Sequence, residues 1–233
     1  MKIWEDERQC YIRAAMEKNS EAENEALKAQ LDAIDWSVLE QIERKETVNE
    51  RGVFAPLEAV ETEEIERRRD EFRELGIKAI REGKVGAVLL AGGQGTRLGL
   101  DRPKGTLNIG IRRELFLFQQ LIRNLMDVTD EAGAYVPLYI MTSNINHDDT
   151  QAFFEEHGYF GYPKEYVKFF VQEMEPACDY QGRVYMESRT RVAMSPNGNG
   201  GWFGSMVNAG LLSDIRSHGI EWINVFAVDN CLQ

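Results

Sequence analysis

The chain uses two patterns of hydrophobic and polar positions, with the change near Lys84. Before it, apolar residues recur at helical spacing. Leu27, Leu31 and Ile34 share one face, and Ser37-Val-Leu-Glu40 reads as a capping box opening a second helix through Leu39 and Ile42. The stretch 46–61, with Gly52 and Pro56, reads as a connector. Thr62 is expected to cap a third helix, with Glu63 and Glu64 in its positive first turn, Ile65, Phe72 and Leu75 on one face, and Gly83 at its end. Val85–Ala91 is then a continuous apolar run, the pattern of a strand buried on both faces. A glycine-rich loop follows, then a helix about Leu115–Met126, a strand near Tyr135–Met141, a short helix near Asp148–His157 and a strand at Val167–Val171. Arg183–Met194 suggests a hairpin. A second glycine-rich loop precedes a helix from Trp202 to His218, and a last strand runs Trp222–Val228.

Strands alternating with helices predict an α/β fold: a mostly parallel, Rossmann-like sheet with helices on both faces. The expected division is an N-terminal helical region, 1–83, and an α/β domain, 84–233. In such a sheet, ligands gather beyond the carboxyl ends of the strands. Those positions hold Gly92-Gly93-Gln94-Gly95-Thr96-Arg97, Thr142-Ser143, Gln172 and Asp229-Asn230. Glycines, hydroxyls, amides and a carboxylate therefore converge on one edge.

Composition narrows the partners. Of 233 residues, 43% are hydrophobic and 10% aromatic, which supplies a core and excludes disordered and low-complexity classes. The net charge of −12 argues against nucleic acid and against an anionic membrane surface as partners. Residues 1–83 carry 22 acidic and 14 basic side chains, so most of that excess is expected on the solvated face of the helical region. A phosphate-rich small ligand stays open, since backbone amides and one or two placed cations can hold it locally. The opening MKIWEDERQC lacks the basic-then-apolar layout of a secretion signal. Val85–Ala91 is far shorter than the roughly 20 residues a bilayer requires. Three cysteines form no CxxC and three histidines show no metal spacing, so a reduced, cytoplasmic setting is expected.

The loop LLAGGQGTRLGLDRPKG, residues 89–105, is the sharpest chemical element. Its glycines allow backbone N–H groups to approach phosphate oxygens, and Arg97 and Lys104 add two cations. A tight turn alone would account for Gly92 and Gly93, but not for Arg97 and Pro103-Lys104-Gly105. A Walker loop fails because Gly105 follows Lys104, and the dinucleotide fingerprint fails because Leu98 stands at its third glycine.

The stretch resembles the nucleotide loop of the UDP-sugar pyrophosphorylases, most closely the eukaryotic-type UDP-N-acetylglucosamine group. The likeness continues through Ile140-Met141-Thr142-Ser143, Tyr159-Phe160-Gly161, Phe169-Phe170-Val171-Gln172 with Pro176-Ala177, Met194–Gly201 and Val228-Asp229-Asn230. Leu31-Asp32-Ala33-Ile34-Asp35 is similar to that family's helical N-terminal region, so the resemblance spans about residue 27 onward. It implies a glycosyltransferase-A-like nucleotidyltransferase sheet and a uridylyltransferase that joins UTP and a sugar 1-phosphate into a UDP-sugar, releasing pyrophosphate. On this likeness Leu90, Ala91, Gly92 and Gly93 hold the base and ribose side of UTP, and Gln172 bonds the uracil. Arg97 and Lys104 are the catalytic cations, Gly198 lets the backbone approach the nucleotide, Asn199 touches the sugar, and Asp229 ligates Mg²⁺.

Pro196-Asn197 stands where the family commonly has Pro-Asp, and Glu175 where an apolar residue is common; these leave the sugar open between N-acetylglucosamine, glucose and another hexose. The chain stops just after Asp229, at Cys231-Leu232-Gln233, whereas the family continues for a comparable length. That stop implies a sheet front half with an incomplete sugar site, low or absent turnover alone, and an open edge inclined to self-associate. The alternative to an enzyme is a non-catalytic UTP-binding fragment.

Overall fold

The computed structural model describes residues 2–36, 55–57 and 59–231. The capping box at Ser37–Glu40 and most of the expected connector lie outside the described residues. In chain order the elements are α1 (Cys10–Met16), α2 (Glu21–Asp32), α3 (Thr62–Arg67), α4 (Arg69–Arg81), β1 (Val85–Leu90), α5 (Leu117–Ala132), β2 (Leu138–Thr142) and α6 (His147–Glu156). They continue with β3 (Val167–Val171), β4 (Met174–Pro176), β5 (Met186–Ser188), β6 (Arg191–Val192), β7 (Met194–Pro196), α7 (Trp202–Asn208), α8 (Leu212–Ser217) and β8 (Trp222–Ala227).

These elements form two compact units, one of residues 1–58 and 174–197, the other of residues 59–173 and 198–233. The division does not follow the expected 83/84 boundary. Helices α3 and α4 belong to the sheet unit, whereas the 174–197 segment belongs with the N-terminal helices. Packing explains it: Ile12 on α1 and Leu27 and Leu31 on α2 are fully buried together with Val184 and Val192. A helical pair this short cannot cover its own apolar face, and the β5–β6 hairpin covers it. The Gln9 side chain fixes the arrangement, donating to the Gly182 carbonyl at 2.9 Å and accepting from the Val184 N–H at 2.9 Å. Helix α2 opens on a capping box of Ser20 and Glu23.

The larger unit holds a four-stranded parallel sheet ordered β3-β2-β1-β8. Register sets Leu89 opposite Ile140 and Phe226, and Ile140 opposite Phe169, so one row crosses all four strands. Alternate residues face opposite layers. Ala87, Leu89, Leu138 and Ile140 pack with Phe118, Leu121 and Ile122 of α5 and Phe154 of α6. Val88, Leu90, Tyr139, Met141 and Phe170 pack with Met206 of α7 and Ile215 of α8. The expected sheet with helices on both faces is what forms.

Local differences have local causes. Thr62 is the first helical residue rather than the cap, which is Glu61, and the helix breaks at Arg68. Ile65 and Leu75 are exposed; α4 packs instead through Ile80, and Arg81 Nε donates to the Ala132 carbonyl at 3.2 Å. The expected helix from Trp202 to His218 divides into α7 and α8 at Gly210, whose φ is +77°. Tyr159 and Phe160 take positive φ of 53° and 56°, which side chains seldom adopt. Aromatic packing around Phe154 holds them there.

Candidate functional site

The carboxyl ends of β1, β2 and β3 place Gly92, Ser143 and Gln172 in adjacent positions. The ladder ends at Leu90 opposite Met141 and Thr142 opposite Val171. It is extended by Ala91 N–H to the Met141 carbonyl (2.8 Å) and Gln172 N–H to the Thr142 carbonyl (2.7 Å). Gln172 is 5% exposed, and its side-chain amide takes no hydrogen bond among the described residues. Its Oε1 lies 2.8 Å from where a Cβ on Gly92 would sit. Any side chain at position 92 would therefore displace the amide. The amide keeps its donors and acceptor free, a set that suits the edge of a base.

Asn146 holds the loop after β1. It is fully buried and stands at the N-cap position of α6, but its side chain turns from the helix: it accepts from the Ser143 N–H at 2.7 Å and donates to the carbonyls of Ala91 at 3.0 Å and Gly93 at 3.3 Å. Sequence reading missed it. The signal was an asparagine at a helix start directly beyond a strand, a position that ordinary capping explains equally well.

The loop then folds back on itself. Lys104 N–H donates to the Gly93 carbonyl at 3.2 Å, and Gly95 N–H to the Arg102 carbonyl at 3.0 Å. Arg97 lies in the short 3-10 turn Thr96–Leu98. Lys104 Nζ meets the carboxylate of Asp229 in a direct ion pair, so the expected phosphate cation and the expected metal ligand are brought together. Val228 N–H donates to the Leu90 carbonyl at 3.0 Å and keeps the end of β8 beside β1.

The second glycine loop is placed by α7. Gly198 has φ +83° and ψ 176°, open to glycine and strained for other residues, and Asn199–Gly201 forms a 3-10 turn leading into α7. Ser205 Oγ donates to the Gly201 carbonyl and accepts from the Glu173 N–H, each at 3.0 Å. One hydroxyl thus ties this loop to the residue following Gln172.

The donor set suits Mg²⁺ only in its usual enzymatic form, with one carboxylate and the remaining ligands from phosphate and water. Asp229 is the carboxylate available at this edge, and no cluster of three acidic, histidine or cysteine side chains occurs among the described residues. No described helix is long and apolar enough to cross a membrane.

Comparison with known proteins agrees with this geometry. Residues 17–233 match the model of the UTP–glucose-1-phosphate uridylyltransferase family. The chain is 40% identical over 175 residues to UDP-N-acetylglucosamine diphosphorylase 2 of Arabidopsis thaliana, covering 70% of this chain and 35% of that protein. It is 40% identical over 171 residues to UDP-N-acetylglucosamine pyrophosphorylase of Saccharomyces cerevisiae, covering 71% of this chain and 36% of that one. The crystal structure of the inhibitor-bound uridine diphosphate N-acetylglucosamine pyrophosphorylase from Trypanosoma brucei is similar at a TM-score of 0.71 and 33% identity, over 96% of this chain and 49% of that one. The chain thus spans about a third of the length of these curated relatives and half of the solved one. The glycine loop, the Gln172 amide and the four strands of the sheet all fall within the matched residues, and the chain belongs to the UTP–glucose-1-phosphate uridylyltransferase family.

Proposed function

We propose that this chain carries the nucleotide site of a uridylyltransferase that converts UTP and a sugar 1-phosphate, N-acetylglucosamine 1-phosphate ahead of glucose 1-phosphate, into a UDP-sugar and pyrophosphate. The carrying observation is the unpartnered Gln172 amide seated against Gly92 at the sheet edge. The relatives' names favour N-acetylglucosamine.

The backbone of Leu90, Ala91, Gly92 and Gly93 borders the base and ribose, and Gln172 accepts from uracil N3–H while donating to a neighbouring carbonyl. The sugar phosphate oxygen attacks the α-phosphorus in line, forming the new P–O bond as the bond to pyrophosphate breaks. Lys104 and Arg97 stabilise charge on the phosphates, the Gly198 backbone approaches the nucleotide, and Asn199 contacts the sugar. Asp229 would hold Mg²⁺, which when bound neutralises phosphate charge. Three free cysteines fit work in the cytoplasm.

The test measures UTP binding and, separately, pyrophosphate release with UTP, Mg²⁺ and a panel of sugar 1-phosphates. Release with N-acetylglucosamine 1-phosphate supports the transferase. Binding without release favours the nucleotide-holding role alone, and absence of both overturns the reading.

A further inference from the structure

Ser143 stands beside the base-reading amide without an assigned role. It is 4% exposed, and its Oγ, wholly inaccessible, has no hydrogen-bond partner. Strand order places it between Gly92 and Gln172 at the end of β2. By alternation it belongs to the face of Met141 and Tyr139, the same face as Phe170 and therefore Gln172. An inaccessible hydroxyl without a partner thus lies in the position next to an amide whose own groups are free. Natural interiors seldom keep such a hydroxyl unpaired without a use for it.

We propose that Ser143 is a positioning residue for Gln172. When a base binds, the Ser143 hydroxyl takes up one of the amide's hydrogen-bonding groups and holds the rest of the amide toward the pyrimidine. The inference rests on the nucleotide reading above and adds to it the residue through which Gln172 is aimed.

Stability and binding then respond in opposite directions to Ser143→Ala. Removing a buried, unpaired hydroxyl leaves the melting temperature of the ligand-free chain unchanged or raises it. UTP affinity falls about fivefold to tenfold, because the amide loses its anchor in the bound state. The same substitution in a Gln172→Ala background changes UTP affinity by less than about twofold, since the partner is already gone. Affinity for inorganic tripolyphosphate, which has no base, stays the same, and Ser143→Thr recovers part of the loss. An equal loss for UTP and tripolyphosphate, a lowered melting temperature, or additive effects of the two alanines overturns the positioning role. Wild-type chain that binds tripolyphosphate and UTP alike overturns the nucleotide reading and the inference with it.

Discussion

Lys104 and Asp229 form a direct ion pair that joins the glycine-rich loop to the residue beyond β8. Each has its own expected duty toward the nucleotide, and in the pair each neutralises the other. Asp229 is 61% exposed, so the pair is of the solvated kind worth about 0.4–1 kcal/mol. Asp229→Asn frees the lysine. Metal-free UTP affinity is expected to rise about twofold to fivefold, while any gain in affinity on adding Mg²⁺ disappears. Titration calorimetry with and without chelator checks both; an Mg²⁺ effect that survives the substitution removes Asp229 from the metal role.

Gly92→Ala places a methyl 2.8 Å from Gln172 Oε1. The obstructing atom is the end of a flexible side chain, so the amide moves and the fold holds. UTP affinity is expected to fall at least about tenfold with little change in melting temperature. Unchanged affinity would show that the seat of Gln172 on Gly92 plays no part in binding.

Gly105→Ala should behave the other way. Its Cβ would lie 2.2–2.3 Å from the ring of Phe118, which is fully buried between α5 and the sheet. Overpacking a core of this kind costs about 1–3 kcal/mol or more. Urea unfolding should show that loss, whereas Lys104→Ala, one residue earlier and partly exposed, should unfold like wild type and lose UTP affinity.

Asp214 on α8 gives the sheet unit a pH dependence. Burial alone would push its carboxyl up, but hydrogen bonds from Lys168 and from the Tyr139 hydroxyl at 2.7 Å outweigh that and hold it below the usual carboxylate value; His218 also faces it. A carboxyl lowered on folding contributes fully above the ordinary carboxylate range and loses that contribution as pH falls through the folded-state value. Asp214→Asn is therefore expected to cost about 1–2 kcal/mol at pH 7, with the gap to wild type closing toward pH 3. Urea midpoints across that range give the answer, and a gap independent of pH would assign Asp214 a purely steric role.

Much of this sheet is visible in the sequence because buried parallel strands write continuous apolar runs. Val167–Val171 is placed to the residue, and Val85–Leu90 differs from expectation only by Ala91. What was hidden depends on partners distant in sequence. Nothing local says that the face of α2 is completed by Val184 and Val192, or that α4 turns Leu75 outward and Ile80 inward. The same holds at the site. Gly92, Gln172, Lys104 and Asp229 are individually legible, being glycines, amides and charges at strand ends. Their pairing is not, and neither is the role of Asn146, whose bonds to the Ala91 and Gly93 carbonyls exist only after β1 and β2 lie side by side.

The most direct test of the nucleotide site is a calorimetric titration of the 233-residue chain with UTP and with ATP in the presence of Mg²⁺. The expected result is one UTP bound per chain, ATP at least about tenfold weaker, and a preference erased by Gln172→Ala. Equal affinity for the two nucleotides, or a UTP affinity untouched by Gln172→Ala, would contradict it.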